Sequence, residues 1–120
     1  MTQRFDENPN HATRAYQVWL ILISKAHNRQ TLTYGMLGDL LGFQGAGVFD
    51  KILGHIMCYC RQNGLPPLTV IVVNQSTGLP GDGLILDGNP NEVRENVYNY
   101  QWFDIFPPTL EELSAAYNNG

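Results

Sequence analysis

The sequence predicts a single α+β domain, on three observations. Apolar residues recur at helical spacing in three early segments. A β-branched run at 68–74 follows a Pro-Pro break, and two capping signals mark further helices near the C-terminus. With 120 residues, 43% of them hydrophobic and 15% charged, the chain suits one core and needs no staples, burying roughly 65–70% of its unfolded surface. This composition excludes a wholly disordered or collagen-like chain. No apolar run reaches the roughly 18 residues of a membrane span. Residues 1–15 are polar and lack a signal-peptide core, so the expected location is the cytoplasm.

Residues 1–8 read as a flexible N-terminal arm. Asn8-Pro9 is a helix-start signal, with Asn as cap and Pro in the first turn. Ala12, Ala15, Tyr16, Trp19, Leu22, Ile23 and Ala26 then form one apolar face of a helix that stops near His27. Thr33 is a good cap for a short helix over 34–41, with Met36, Leu37, Leu40 and Leu41 facing inward and Gly42 ending it. A Gly-rich loop over 43–48 leads to a third helix over 49–63, closed by Gly64, whose stripe is Ile52, Leu53, Ile56, Met57 and Cys60. Residues 68–74, LTVIVVN, are the best strand in the chain, and 81–86 its possible hairpin partner. Three helices with a small β-hairpin resemble the winged-helix plan, so 9–86 is expected to be a winged-helix-like domain. Residues 87–120 are expected to be a helical extension on the same core, opened by capping boxes at Asn89-Pro90-Asn91-Glu92 and Thr109-Leu110-Glu111-Glu112.

Charge divides the chain. Residues 1–61 carry six basic side chains against four acidic ones, whereas 62–120 carry Arg94 alone against seven carboxylates, for a net charge of −4. Nucleic-acid affinity comes largely from neutralising phosphates, so the total argues against strong nonspecific DNA binding but leaves room for a basic face on the first half. The acidic second half reads as a solvated surface, or more sharply as one shaped for a basic partner.

Several chemistries lack support. His11, His27 and His55 stand apart from one another and from carboxylates at metal-ligand spacing, so neither a metal nor another cofactor is expected. Cys58 and Cys60 lie on one helix without a second pair, and read as free buried thiols. No G-x-S-x-G elbow, Walker loop or dinucleotide fingerprint is present. Glu111 and Glu112 suit the first turn of a helix rather than a catalytic pair.

Residues 10–86 are similar to the C-terminal DNA-binding domain of alkylguanine-DNA alkyltransferases and alkyltransferase-like proteins. Thr31-Leu32-Thr33-Tyr34-Gly35 matches that family's Thr-Tyr-Gly turn, Lys51-Ile52-Leu53-Gly54 occupies the place of its Arg-x-Val-Gly pattern, and Pro67-Leu68-Thr69-Val70 lies where Pro-Cys-His-Arg is expected. The resemblance implies that Tyr34 contacts DNA at the target nucleotide and that Lys51 takes the place of the Arg that enters the base stack. Lys lacks the planar fork of Arg. The alkyl-accepting Cys is replaced by Thr69 and its His by Val70, so alkyl transfer should be absent and no enzyme is expected.

Two functions follow. The first is a non-catalytic domain that binds duplex DNA through Tyr34, Thr33 and Lys51, with Lys25, Arg29 and Arg61 on phosphates. The second is an acidic protein-interaction module, such as an immunity protein, inhibitor or adaptor. It would meet a basic protein through Asp82, Asp87, Glu92, Glu95 and Asp104 beside Tyr98 and Trp102.

Overall fold

The computed structural model describes residues 2–4, 10–42, 46–80 and 88–120. Among these, five helices and a two-stranded parallel sheet form a helix-dominated mixed fold. Helix α1 (His11–His27) is capped by Asn10, whose side-chain oxygen accepts the Thr13 N–H at 2.8 Å. The cap is therefore not the expected Asn8, which lies with Pro9 outside the described residues. At the other end Arg29 N–H donates to the Ala26 carbonyl and Gln30 N–H to the Lys25 carbonyl. That pairing closes the helix with Arg29 in the left-handed region at φ 56°, a conformation usually left to Gly.

Strand β1 (Leu32–Thr33) runs directly into α2 (Tyr34–Leu41). Thr33 Oγ1 accepts the Met36 N–H at 3.1 Å, and Gly42 ends the helix at φ 80°, as the sequence predicts. Only Leu37 and Leu41 of the apolar set face the core; Met36 is 46% and Leu40 59% exposed, contrary to expectation. A two-turn helix buries one i,i+4 stripe, and the pair one position earlier turns outward. Helix α3 (Ala46–Gln62) starts three residues earlier than predicted, inside the expected Gly-rich loop. It ends on Gly64 at φ 67°, with Leu65 N–H returning to the Cys60 carbonyl at 2.9 Å.

The expected strand over 68–74 is a correction. Leu68–Ile71 is a 3-10 turn, and only Val72–Val73 forms strand β2, paired in parallel with β1 through Leu32↔Val72 and Thr33↔Val73. The ladder cannot lengthen because β1 is bounded on one side by the left-handed Arg29 and on the other by the Thr33 cap. Leu68, Thr69, Val70 and Ile71 are all buried, so their backbone must pair locally. The 3-10 turn supplies this, with Val70 N–H donating to the Pro67 carbonyl at 3.0 Å. The expected hairpin partner over 81–86 lies outside the described residues; Val73 makes an isolated antiparallel bridge to Pro80.

Helix α4 (Pro90–Asn99) is capped by Asn89, which accepts the Asn91 N–H at 2.8 Å. A second 3-10 turn, Trp102–Asp104, leads to α5 (Leu110–Asn119), where both bonds of the predicted capping box form between Thr109 and Glu112. One core joins the early helices to this C-terminal layer. Its centre is Trp19, which meets Trp102 edge to face at 5.6 Å and Tyr59 at 5.7 Å, while the Trp102 indole N–H donates to the Val97 carbonyl at 2.8 Å. Among the described residues, no helix is long and apolar enough to cross a membrane.

Candidate functional site

Of the six residues expected to meet DNA, Thr33, Tyr34 and Lys51 lie near the corner where α2 enters and α3 begins. Tyr34 is the first residue of α2; it is half-buried, and its ring centroid lies 6.5 Å from that of the buried Phe49 in the first turn of α3. Lys51, two positions further along α3, is exposed. Residues two apart on a helix point roughly 200° apart, so the Lys51 side chain leaves the opposite flank of α3 from the one Tyr34 packs on. Thr33, half-buried, spends its hydroxyl on the α2 cap. The corner therefore holds a phenol edge and an ammonium at one end of α3, without a shared pocket.

The three remaining cations are dispersed. Lys25 is half-buried near the end of α1. The Arg29 guanidinium binds both carboxylate oxygens of Glu95, at 2.6 and 2.7 Å, and lies 5.0 Å from the centroid of the Tyr98 ring. The Glu95 bond and charge hold the Arg29 pKa above its usual value. Burial raises the Tyr98 phenol, and the neighbouring arginines Arg94 and Arg29 offset part of that rise. One residue assigned to each proposed surface is thus paired with the other. Arg61 is exposed and only grazes the Cys58 sulfur, at 3.8 Å.

The acidic patch is corrected at its centre. Trp102 is 2% exposed and belongs to the core, since its two rings bury more apolar area than any surface contact could recover. The aromatics exposed beside Asp104 are instead Phe103, at 61%, and Phe106, at 94%, which flank it. Glu92 is exposed, and Asp82 and Asp87 lie outside the described residues.

The outer face of α3 is largely covered by α5. The His55 ring stacks on Tyr117 at 4.2 Å with the planes 3° apart, and the Gln62 side-chain amide donates to the Ala116 carbonyl at 2.8 Å. Gly54 makes this approach possible, because a methyl group there would lie 2.9 Å from the Tyr117 ring. The Lys51 carbonyl accepts from His55 Nδ1 at 2.7 Å, which fixes the neutral tautomer with Nε2 bare. Burial pulls the His55 pKa down, against the raising effect of that carbonyl, and the nearby His11 lowers it further. His11, His55 and Glu111 border one shallow cleft of about 640 Å³. Among the described residues no three His, Cys, Asp or Glu side chains gather as a metal site.

Burial pushes the Cys60 thiol up to about 12, leaving it inert. Thr69 is buried, and among the described residues its hydroxyl oxygen has no hydrogen-bond partner.

A second cleft, of about 870 Å³, opens between the end of α3, the 64–67 connection and α4. Arg61, Asn96, Asn99 and Tyr100 supply its polar lining and Pro66 and Pro67 part of its apolar wall. Sequence reasoning selected only Arg61 of these. The others carried a weak signal: Asn96 and Asn99 share one face of α4 and Tyr100 follows as its C-cap, but their partners across the cleft are distant in sequence. Comparison with protein-family models, with curated proteins and with solved structures finds no significant match to this chain.

Proposed function

We propose that the chain is a non-catalytic, winged-helix-like DNA-binding domain similar to the alkyltransferase-like proteins, engaging duplex DNA at the α2–α3 corner. The observation that carries this reading is the Thr33-capped start of α2, which sets Tyr34 against Phe49, two residues before the exposed Lys51. A phenol can stack on a base or bond to a backbone oxygen, and an ammonium meets phosphate or a base edge. Because Lys51 leaves α3 on the flank opposite the one Tyr34 packs on, Lys51 acts as a phosphate contact and Tyr34 as the groove contact. Thr69 supports the absence of alkyl transfer: among the described residues its hydroxyl has no hydrogen-bond partner that could take its proton. With Arg29 held by Glu95, the affinity is modest and depends on low salt.

Fluorescence anisotropy with a short labelled duplex tests this. Binding should weaken steeply with salt, and Lys51→Ala should reduce both affinity and salt slope. Equal affinity in wild type, Tyr34→Ala and Lys51→Ala removes the assignment.

A second reading is favoured by the exposed Phe103 and Phe106 beside Asp104: an acidic, aromatic surface for a basic protein. Reversing Glu92 and Asp104 should then abolish that association and leave any DNA affinity intact or increased.

A further inference from the structure

The cleft between α3 and α4 has a composition that stands out in an acidic protein. Among the described residues that line it, Arg61 is the one charged side chain, and no carboxylate faces it. The Arg61 guanidinium has five donors, of which the structure occupies one, weakly, at the Cys58 sulfur. Asn96 and Asn99 lie three residues apart on α4, and neither carboxamide has a hydrogen bond among the described residues. Each presents a coplanar donor and acceptor, the arrangement that pairs with an amide or a heteroaromatic edge. Pro66, Pro67 and the half-buried Tyr100 add flat apolar walls, and Tyr100 is backed by Trp102 at 4.6 Å, which fixes its ring in place. At about 870 Å³ the space suits a small organic molecule.

We infer that this cleft binds a small organic anion with a flat ring body. Its oxyanion rests on Arg61, its ring lies along Tyr100 and the two prolines, and its polar edge meets Asn96 and Asn99. A planar guanidinium holds a carboxylate or a phosphate in the same bidentate manner. The shared chemistry is therefore an oxyanion joined to a planar ring, which a nucleoside monophosphate and an aromatic carboxylate both offer. This inference does not require duplex binding at the α2–α3 corner; the one residue it shares with the proposed DNA contacts is Arg61, at the far end of α3.

The test is a titration of the full chain, followed through the side-chain carboxamide NMR signals of Asn96 and Asn99. Adenosine 5′-monophosphate, N-acetyltryptophan and inorganic phosphate are the three probes. At least one ring-bearing probe should give saturable shifts confined to the cleft, at millimolar concentration or below, and identify the source by its tighter binding. Arg61→Gln should weaken it roughly tenfold or more, the expected loss of a charge-assisted hydrogen bond. Asn99→Ala should weaken the ring-bearing probe with no effect on inorganic phosphate. The inference is overturned by an absence of shifts with both ring-bearing probes. It is equally overturned by equal affinity for inorganic phosphate, or by unchanged binding in both variants.

Discussion

Gly54 offers the sharpest test of how the C-terminal layer seats on α3. An alanine methyl there would sit 2.9 Å from Tyr117 Cε1 and 3.5 Å from Cδ1, where carbon atoms ordinarily rest about 3.5–4.0 Å apart. Moving the ring aside would break its stack on the buried His55. Two opposed effects then decide the sign. Replacing Gly by Ala in a helix interior favours folding by about 1 kcal/mol, whereas overpacking costs about 1–3 kcal/mol. Gly54→Ala should therefore destabilise the protein by about 1 kcal/mol, equivalent to a fall of roughly 4 °C in Tm. With the ring removed by Tyr117→Ala, the same substitution should stabilise by about 1 kcal/mol, so the cycle yields a coupling of about 2 kcal/mol. Urea denaturation of the four proteins, followed by far-UV circular dichroism, measures it. An equal gain in stability from Gly54→Ala in both backgrounds would refute the close approach of α5 to α3.

Two further outcomes follow from the packing. Burial lowers the His55 pKa below the ordinary imidazole value of about 6.5, so the unfolded chain takes up the proton first as pH falls. The His55 contribution is complete above pH 6.5 and is lost as pH drops through the lowered folded value, so urea midpoints should fall less steeply with acid in His55→Gln than in wild type. Trp102→Ala should cost about 3–5 kcal/mol by leaving a cavity against Trp19, whereas Phe106→Ala should stay within about 0.5 kcal/mol; thermal melts of both distinguish core from surface.

What could be read from the sequence was whatever is decided locally. The Thr33 cap, the Gly42 and Gly64 stops and the Thr109–Glu112 box each depend on residues within five positions of one another, and all form. Residues 68–74 misled because β-branching speaks to side-chain packing and not to whether a partner strand exists. The partner is two residues long, cut short by a left-handed Arg and a helix cap. Trp102 was misplaced for a related reason: aromatic residues suit interfaces and cores alike, and only the approach of Trp19 from α1 decides between them. The cleft residues Asn96 and Asn99 gained meaning from Arg61 and Pro67 across it, contacts that no local pattern encodes.

The proposed duplex binding at the α2–α3 corner is tested most directly by a backbone amide NMR titration with an unlabelled duplex. Such binding predicts salt-sensitive shifts concentrated at 33–37 and 49–54, with α5 little changed. Silence throughout the spectrum at low salt, or shifts gathered on α4 and α5 alone, would contradict it.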